Sequence, residues 1–128
     1  MRYLVDTHVL LWFVAGDDAI SPRARTLIED SAHEVMVSAA SAWEISTKFR
    51  LGKLPGALLL AENFSDAIGG LGFDELPITG HAAQVAGGFT VHHRDPFDRM
   101  LAAQSLIERV PLITNDPAFE TFGITALW

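Results

Sequence analysis

Four carboxylates stand where a fold could gather them: Asp6, Glu44, Asp98 and Asp116. Asp6 comes directly after the compact apolar block Tyr3-Leu4-Val5, a buried-strand signal. Glu44 lies in the first turns of a helix after a second strand-like block, residues 34–37. Asp98 opens the helix of residues 96–109, with Asp95 just before its first-turn proline, and Asp116 follows the block Leu112-Ile113-Thr114 within two residues. In an open parallel sheet, strand C-ends and helix N-ends share the edge where ligands bind. Carboxylates gathered there repel one another, and leaving them unpaired in a partly buried cleft is costly. A hard divalent cation with oxygen ligands removes that cost. Such a donor set suits Mg²⁺ or Mn²⁺ and chemistry at phosphorus.

Each acid also has a purely structural explanation. Glu44 stands three residues after Ser41, the spacing of a capping box, and four before Lys48, the spacing of a helical ion pair. Asp95 before Pro96 and Asp116 before Pro117 read as N-caps, and Asp98 falls where a helix dipole favours an acid. Asp6 has no such role unless the next helix starts at once. The five histidines compete as ligands, but no zinc spacing such as H-E-x-x-H occurs. His8 and His93 fit better at the rim, touching substrate.

The elements that must position these residues follow from periodicity. Helices are expected over residues 9–14, after Ser21-Pro22, from Ser38 or Ser41 to Gly52, over 58–68, from Thr79 to Val85 and over 96–109. Asp116-Pro117 caps a further short helix. Strands are expected at 3–5, 34–37, 112–114 and 124–127. Residues 73–78 form a peripheral strand, because Pro77 cannot donate to a ladder. Short apolar strands alternating with helices imply an α/β fold in three layers, with helices on both faces of a parallel sheet.

With 128 residues, 49% of them hydrophobic and 20% charged, the chain reads as one globular domain spanning residues 1–128. No apolar run reaches membrane-spanning length, the acid at position 6 argues against an export signal, and cysteine is absent. A cytoplasmic location is the expectation. The net charge of −7 does not by itself point to nucleic acid. Two groupings could offset it locally: Lys48, Arg50 and Lys53, and the pair Arg94 and Arg99 bracketing two of the acids.

Val5-Asp6-Thr7-His8, Ala42-Trp43-Glu44-Ile45, the run from Arg94 through Asp95-Pro96-Phe97-Asp98 to Gln104, and Ile113-Thr114-Asn115-Asp116 resemble, in order, the successive motifs of PIN domains. More narrowly they resemble the VapC toxins of type II toxin–antitoxin systems. The resemblance implies a parallel sheet in the order 3-2-1-4-5 and endoribonuclease activity dependent on Mg²⁺ or Mn²⁺. It implies Asp6 and Asp98 as principal metal ligands, Glu44 and Asp116 completing the acidic site, and Thr114 steadying a neighbouring acid or a water. Asp95 falls outside the shared pattern. The resemblance further implies a homodimer and inhibition by a small cognate antitoxin laying an apolar segment across the toxin. Trp12, Trp43, Phe49, Leu51, Leu54 and Leu58-Leu59-Leu60 offer apolar surface for that, or pack the helical layers.

Rival readings make distinct demands. A phosphatase of haloacid dehalogenase type needs a second acid two residues after the first, where His8 stands. A nucleotide-binding domain needs a glycine-rich turn after the first strand, which Asp6-Thr7-His8-Val9 is not. A non-catalytic interaction domain predicts indifference to metal.

Overall fold

The computed structural model describes all 128 residues. Five short strands, β1 (Arg2–Val5), β2 (Glu34–Ser38), β3 (Asp74–Leu76), β4 (Leu112–Ile113) and β5 (Ala126–Leu127), form one sheet in the order β3-β2-β1-β4-β5. All four pairings are parallel. Chain order therefore reverses between β1 and β4, the crevice where α/β sheets hold ligands.

The helices are α1 (Thr7–Ala15), α2 (Pro22–Glu29), α3 (Ala39–Arg50), α4 (Leu58–Glu62), α5 (Phe64–Gly70), α6 (Gly80–Gly88) and α7 (Pro96–Glu108). A 3-10 turn, Pro117–Phe122, joins β4 to β5. Alternation along β1 divides the core. Tyr3 and Val5 join Val9 and Leu10 of α1, Ile28 of α2 and Ile68 of α5 on one face. Leu4 joins Met36, Leu101 of α7, Leu112 and Phe119 on the other. Each fully buried branched side chain contributes about 1.5–3 kcal/mol. A one-residue slip of β1 would send Leu4 and Val5 to the wrong faces, so the register that ends the strand at Asp6 is tightly fixed.

The expected three-layer fold and strand order are those observed. Four local readings change. The segment expected as one helix over 58–68 breaks at Asn63, which leaves helical geometry at φ −134 and ψ 50 and divides α4 from α5; asparagine competes with helical backbone bonding. Strand β3 keeps three residues at the sheet edge, beside Pro77. Helix α6 runs on through Gly87-Gly88 rather than stopping before them. The segment after Asp116 is 3-10 rather than α.

Candidate active site

Helix α1 starts immediately after β1, which places Asp6 in the N-cap position with extended backbone at φ −62 and ψ 145. Its side chain nevertheless makes no capping bond. It turns to the neighbouring strand, where the Thr114 hydroxyl donates to Asp6 Oδ2 at 2.7 Å. Sheet register explains the meeting: Val5 pairs with Ile113, so the next residues, Asp6 and Thr114, stand side by side. Asp6 is 3% exposed. Burial raises its pKa above the usual aspartate range, opposed by the Thr114 hydrogen bond and by the charge of His8. Glu44 and Asp116 raise it further.

Helix α3 is capped by Ser38, whose hydroxyl accepts from the Ala40 N–H at 3.0 Å. The capping box expected from Ser41 and Glu44 does not form. Ser41 instead pairs with the Thr7 hydroxyl at 2.8 Å in the interior, tying α3 to the first turn of α1. Glu44, released from capping, is 2% exposed and meets Lys48 Nζ at 2.5 Å, the helical pair its spacing predicts. Lys48 thus offsets one acid and leaves the others.

Helix α7 brings Asp98. Asp95 is its N-cap, accepting from the Phe97 N–H at 2.9 Å and the Asp98 N–H at 3.3 Å. The capping explanation suffices for Asp95. Asp98 faces inward, its Oδ2 lying 2.8 Å from His93 Nε2. Burial pushes the Asp98 pKa up to about 6. The His93 hydrogen bond pulls it down, while Asp95, Asp6 and Glu44 push it up. An edge-on contact of Trp43 with Phe97, centroids 4.8 Å apart, joins the helices that carry Glu44 and Asp98.

Asp116 combines two roles. Its Oδ1 caps the 3-10 turn by accepting from the Ala118 N–H at 2.9 Å, and its own N–H donates to the Thr114 hydroxyl at 3.1 Å. Asp6, Glu44, Asp98 and Asp116 therefore come from four separate segments to one edge. Asp6 feels the charges of Glu44 and Asp116, and Asp98 feels those of Asp6 and Glu44.

The chain matches the PIN domain family over residues 3–124. It belongs to the PIN domain family. A 38-residue stretch, 30% of this chain and 26% of the relative, is 47% identical to Ribonuclease VapC16 of Mycobacterium tuberculosis. The fold is shared with FitAcB from Neisseria gonorrhoeae at a TM-score of 0.62 and 18% identity, covering 98% of this chain and 96% of that one. It is shared with VapBC2 from Rickettsia felis bound to a DNA fragment from their promoter, at 0.60 and 13% identity, covering 99% and 98%. VapBC-1 from nontypeable Haemophilus influenzae gives 0.58 and 15% identity, covering 99% and 97%. Membership of this family removes the haloacid dehalogenase alternative.

PIN nucleases generally depend on divalent metal, and the four carboxylates at this edge offer oxygen donors alone. No three of its His, Asp and Glu side chains form a ready-made metal cage. A small hard cation keeps several waters and needs only one or two carboxylates plus substrate phosphate. Burial first, and the neighbouring acids after it, raise the affinity of Asp6 and Asp98 for protons. The residues fit.

Two features of this PIN domain escaped sequence reasoning. His93 bonds to Asp98 rather than standing free at the rim, a pairing carried by a non-helical segment with no periodic signal. Arg99, one of the two arginines that bracket the acids in sequence, directs its guanidinium at backbone carbonyls. His8 remains exposed beside Asp6.

Proposed function

We propose that this PIN domain is a metal-dependent endoribonuclease, the toxin of a VapBC-type toxin–antitoxin pair, with Asp6, Glu44, Asp98 and Asp116 as its acidic site. The observation that carries the reading is the buried Asp6 at the reversal of strand order, sharing one electrostatic field with three carboxylates from distant segments. Asp6 and Asp98, just after β1 and in the first turn of α7, would hold Mg²⁺, with Mn²⁺ able to replace it. Glu44 and Asp116 would complete the site through hydrogen bonds to coordinated waters. When bound, the cation would screen phosphate charge and make water acidic enough to attack at neutral pH. Thr114 holds the Asp6 carboxylate in one orientation. Arg50, Lys53 and Arg94 are exposed and free of ion pairs, so they can position RNA phosphates.

An apolar groove of about 420 Å³, lined by His8, Leu11, Trp12, Leu54, Pro55 and Leu60, supports the docking of an antitoxin segment. Exposed Trp43, Leu51, Leu58 and Leu59 support self-association as a homodimer. We place the protein in the cytoplasm, where its RNA is, as one domain; no helix is long and apolar enough to cross a membrane.

Expression with and without the small protein encoded beside it, followed by mapping of cellular RNA ends, tests the reading. Growth arrest with new 5′-phosphate ends, relieved by the neighbour, is expected. Unchanged RNA ends in arrested cells would refute it.

A further inference from the structure

We propose that Arg99 is a positioning residue of the acidic site: by holding segment 86–93 it sets the His93 imidazole against the Asp98 carboxylate. The inference rests on the reading of Asp98 as a site carboxylate. Arg99 Nε donates to the Ala86 carbonyl at 2.9 Å. Nη1 donates to the carbonyls of Val91 at 3.2 Å and His93 at 2.9 Å. Nη2 donates to those of Gly87 at 3.4 Å and Phe89 at 2.7 Å. A guanidinium has five N–H donors, and all of them face the backbone of one segment.

That segment has little else to fix it. No backbone–backbone hydrogen bond among the turns and loops involves residues 89–94. The Ala86 and Gly87 carbonyls belong to the last turn of α6, where helical partners run out and positive charge is favoured. Side chains add a second anchor. The Arg99 guanidinium lies 5.8 Å from the Phe89 ring centroid, and Phe89 and His93 both pack edge-on against Phe122 at 4.9 and 5.6 Å. Segment 86–93 is therefore pinned at two points, and the His93 ring emerges from it at 2.8 Å from Asp98 Oδ2. Because Arg99 follows Asp98 directly on α7, the same helical turn carries the carboxylate and the group that orients its partner. Lysine retains the charge but replaces a planar fork by one ammonium point, so it cannot span five carbonyls.

The test compares Arg99→Lys with the wild type by amide hydrogen exchange, by the NMR signal of the His93 ring and by single-turnover RNA cleavage. Exchange should accelerate in residues 89–94 and stay unchanged in β1 and β4, with the His93 ring signal displaced. The maximal cleavage rate should fall about tenfold to a hundredfold at nearly unchanged half-saturating RNA, as expected for a small misplacement of a reacting group. In a His93→Ala background, the same substitution should change the rate by no more than about twofold, because both act on one contact. Wild-type exchange and ring signal in Arg99→Lys would overturn the proposal, as would fully additive losses in the double variant. Loss of the folded state in both Arg99→Lys and Arg99→Gln would also overturn it, since Arg99 would then support the whole domain. Should the wild type cut no RNA, the nuclease reading fails alone; exchange and the ring signal still decide the positioning.

Discussion

Thr114 reaches Asp6 across 108 positions of sequence, donating to Oδ2 at 2.7 Å while its oxygen accepts the Asp116 N–H at 3.1 Å. One hydroxyl thus links two of the four acids. Adjacent parallel strands place it there: β1 and β4 end in register, and the residues just beyond them meet. The hydrogen bond lowers the pKa of a carboxylate that burial raises, so Thr114 favours the charged form that the proposed metal role requires.

Thr114→Val keeps the shape and removes the donor. Cleavage should fall by about tenfold or more and stability by about 1–3 kcal/mol, the usual cost of an unsatisfied buried partner. Thr114→Ser should retain most of both. Urea unfolding with a single-turnover assay on each variant checks this, and equal behaviour of Val and Ser would count against the link.

Asp6→Asn should separate stability from activity. A group whose folded pKa lies above its unfolded value stabilises the fold fully below the unfolded pKa, and that contribution is lost as pH rises through the folded value. Asp6 is such a group, so its charged form opposes folding of the metal-free protein. The asparagine variant should melt a few degrees higher in chelator, on the order expected for about 1 kcal/mol, while cleavage disappears. A lower melting temperature would contradict the burial argument.

As proposed metal ligands with raised pKa values, Asp6 and Asp98 would together set the acid limb of activity. With the Asp98 pKa pushed up to about 6, protons compete with metal in that range. At limiting Mg²⁺ the cleavage rate should rise through a midpoint at or above about pH 6, and added metal should move the midpoint lower. By the same linkage, the metal-free protein should lose stability between pH 4 and pH 7, and Asp98→Asn should flatten that dependence. A pH profile indifferent to metal concentration would contradict this.

Lys48→Ala strips Glu44 of its cation at a site 2% exposed. Leaving a buried charge unpaired should cost about 2 kcal/mol or more. Divalent metal should recover more stability in this variant than in the wild type, because the cation replaces the missing positive charge. Thermal melts with and without Mg²⁺ give the comparison.

Much of the fold was readable because burial and chain direction repeat simple patterns. Leu4 flanked by Tyr3 and Val5 marks a two-faced strand, and Ser21-Pro22 and Asp95-Pro96 mark helix starts that the structure retains. The strand order was different: periodicity implied only a parallel sheet, and the order followed from motif resemblance. At the site, the position of each acid along the chain could be read, but its partner could not. Ser41 offered Glu44 a capping box; Thr7 took the hydroxyl instead, a tertiary contact between helices that no local spacing encodes. Asp6 sits in a capping position and its side chain turns instead to the hydroxyl of Thr114, just beyond β4. Arg99 misled for a related reason. A cation beside an acid in sequence points elsewhere when five carbonyls stand on its other side.

The most direct measurement is the cleavage rate of a defined single-stranded RNA as Mg²⁺ is titrated into chelator-treated protein, for the wild type and for folded Asp6→Asn. The account predicts no cutting in chelator, a saturable rise with Mg²⁺ for the wild type and none for the variant. Equal cutting in chelator, or a folded Asp6→Asn protein working at the wild-type rate, would contradict it.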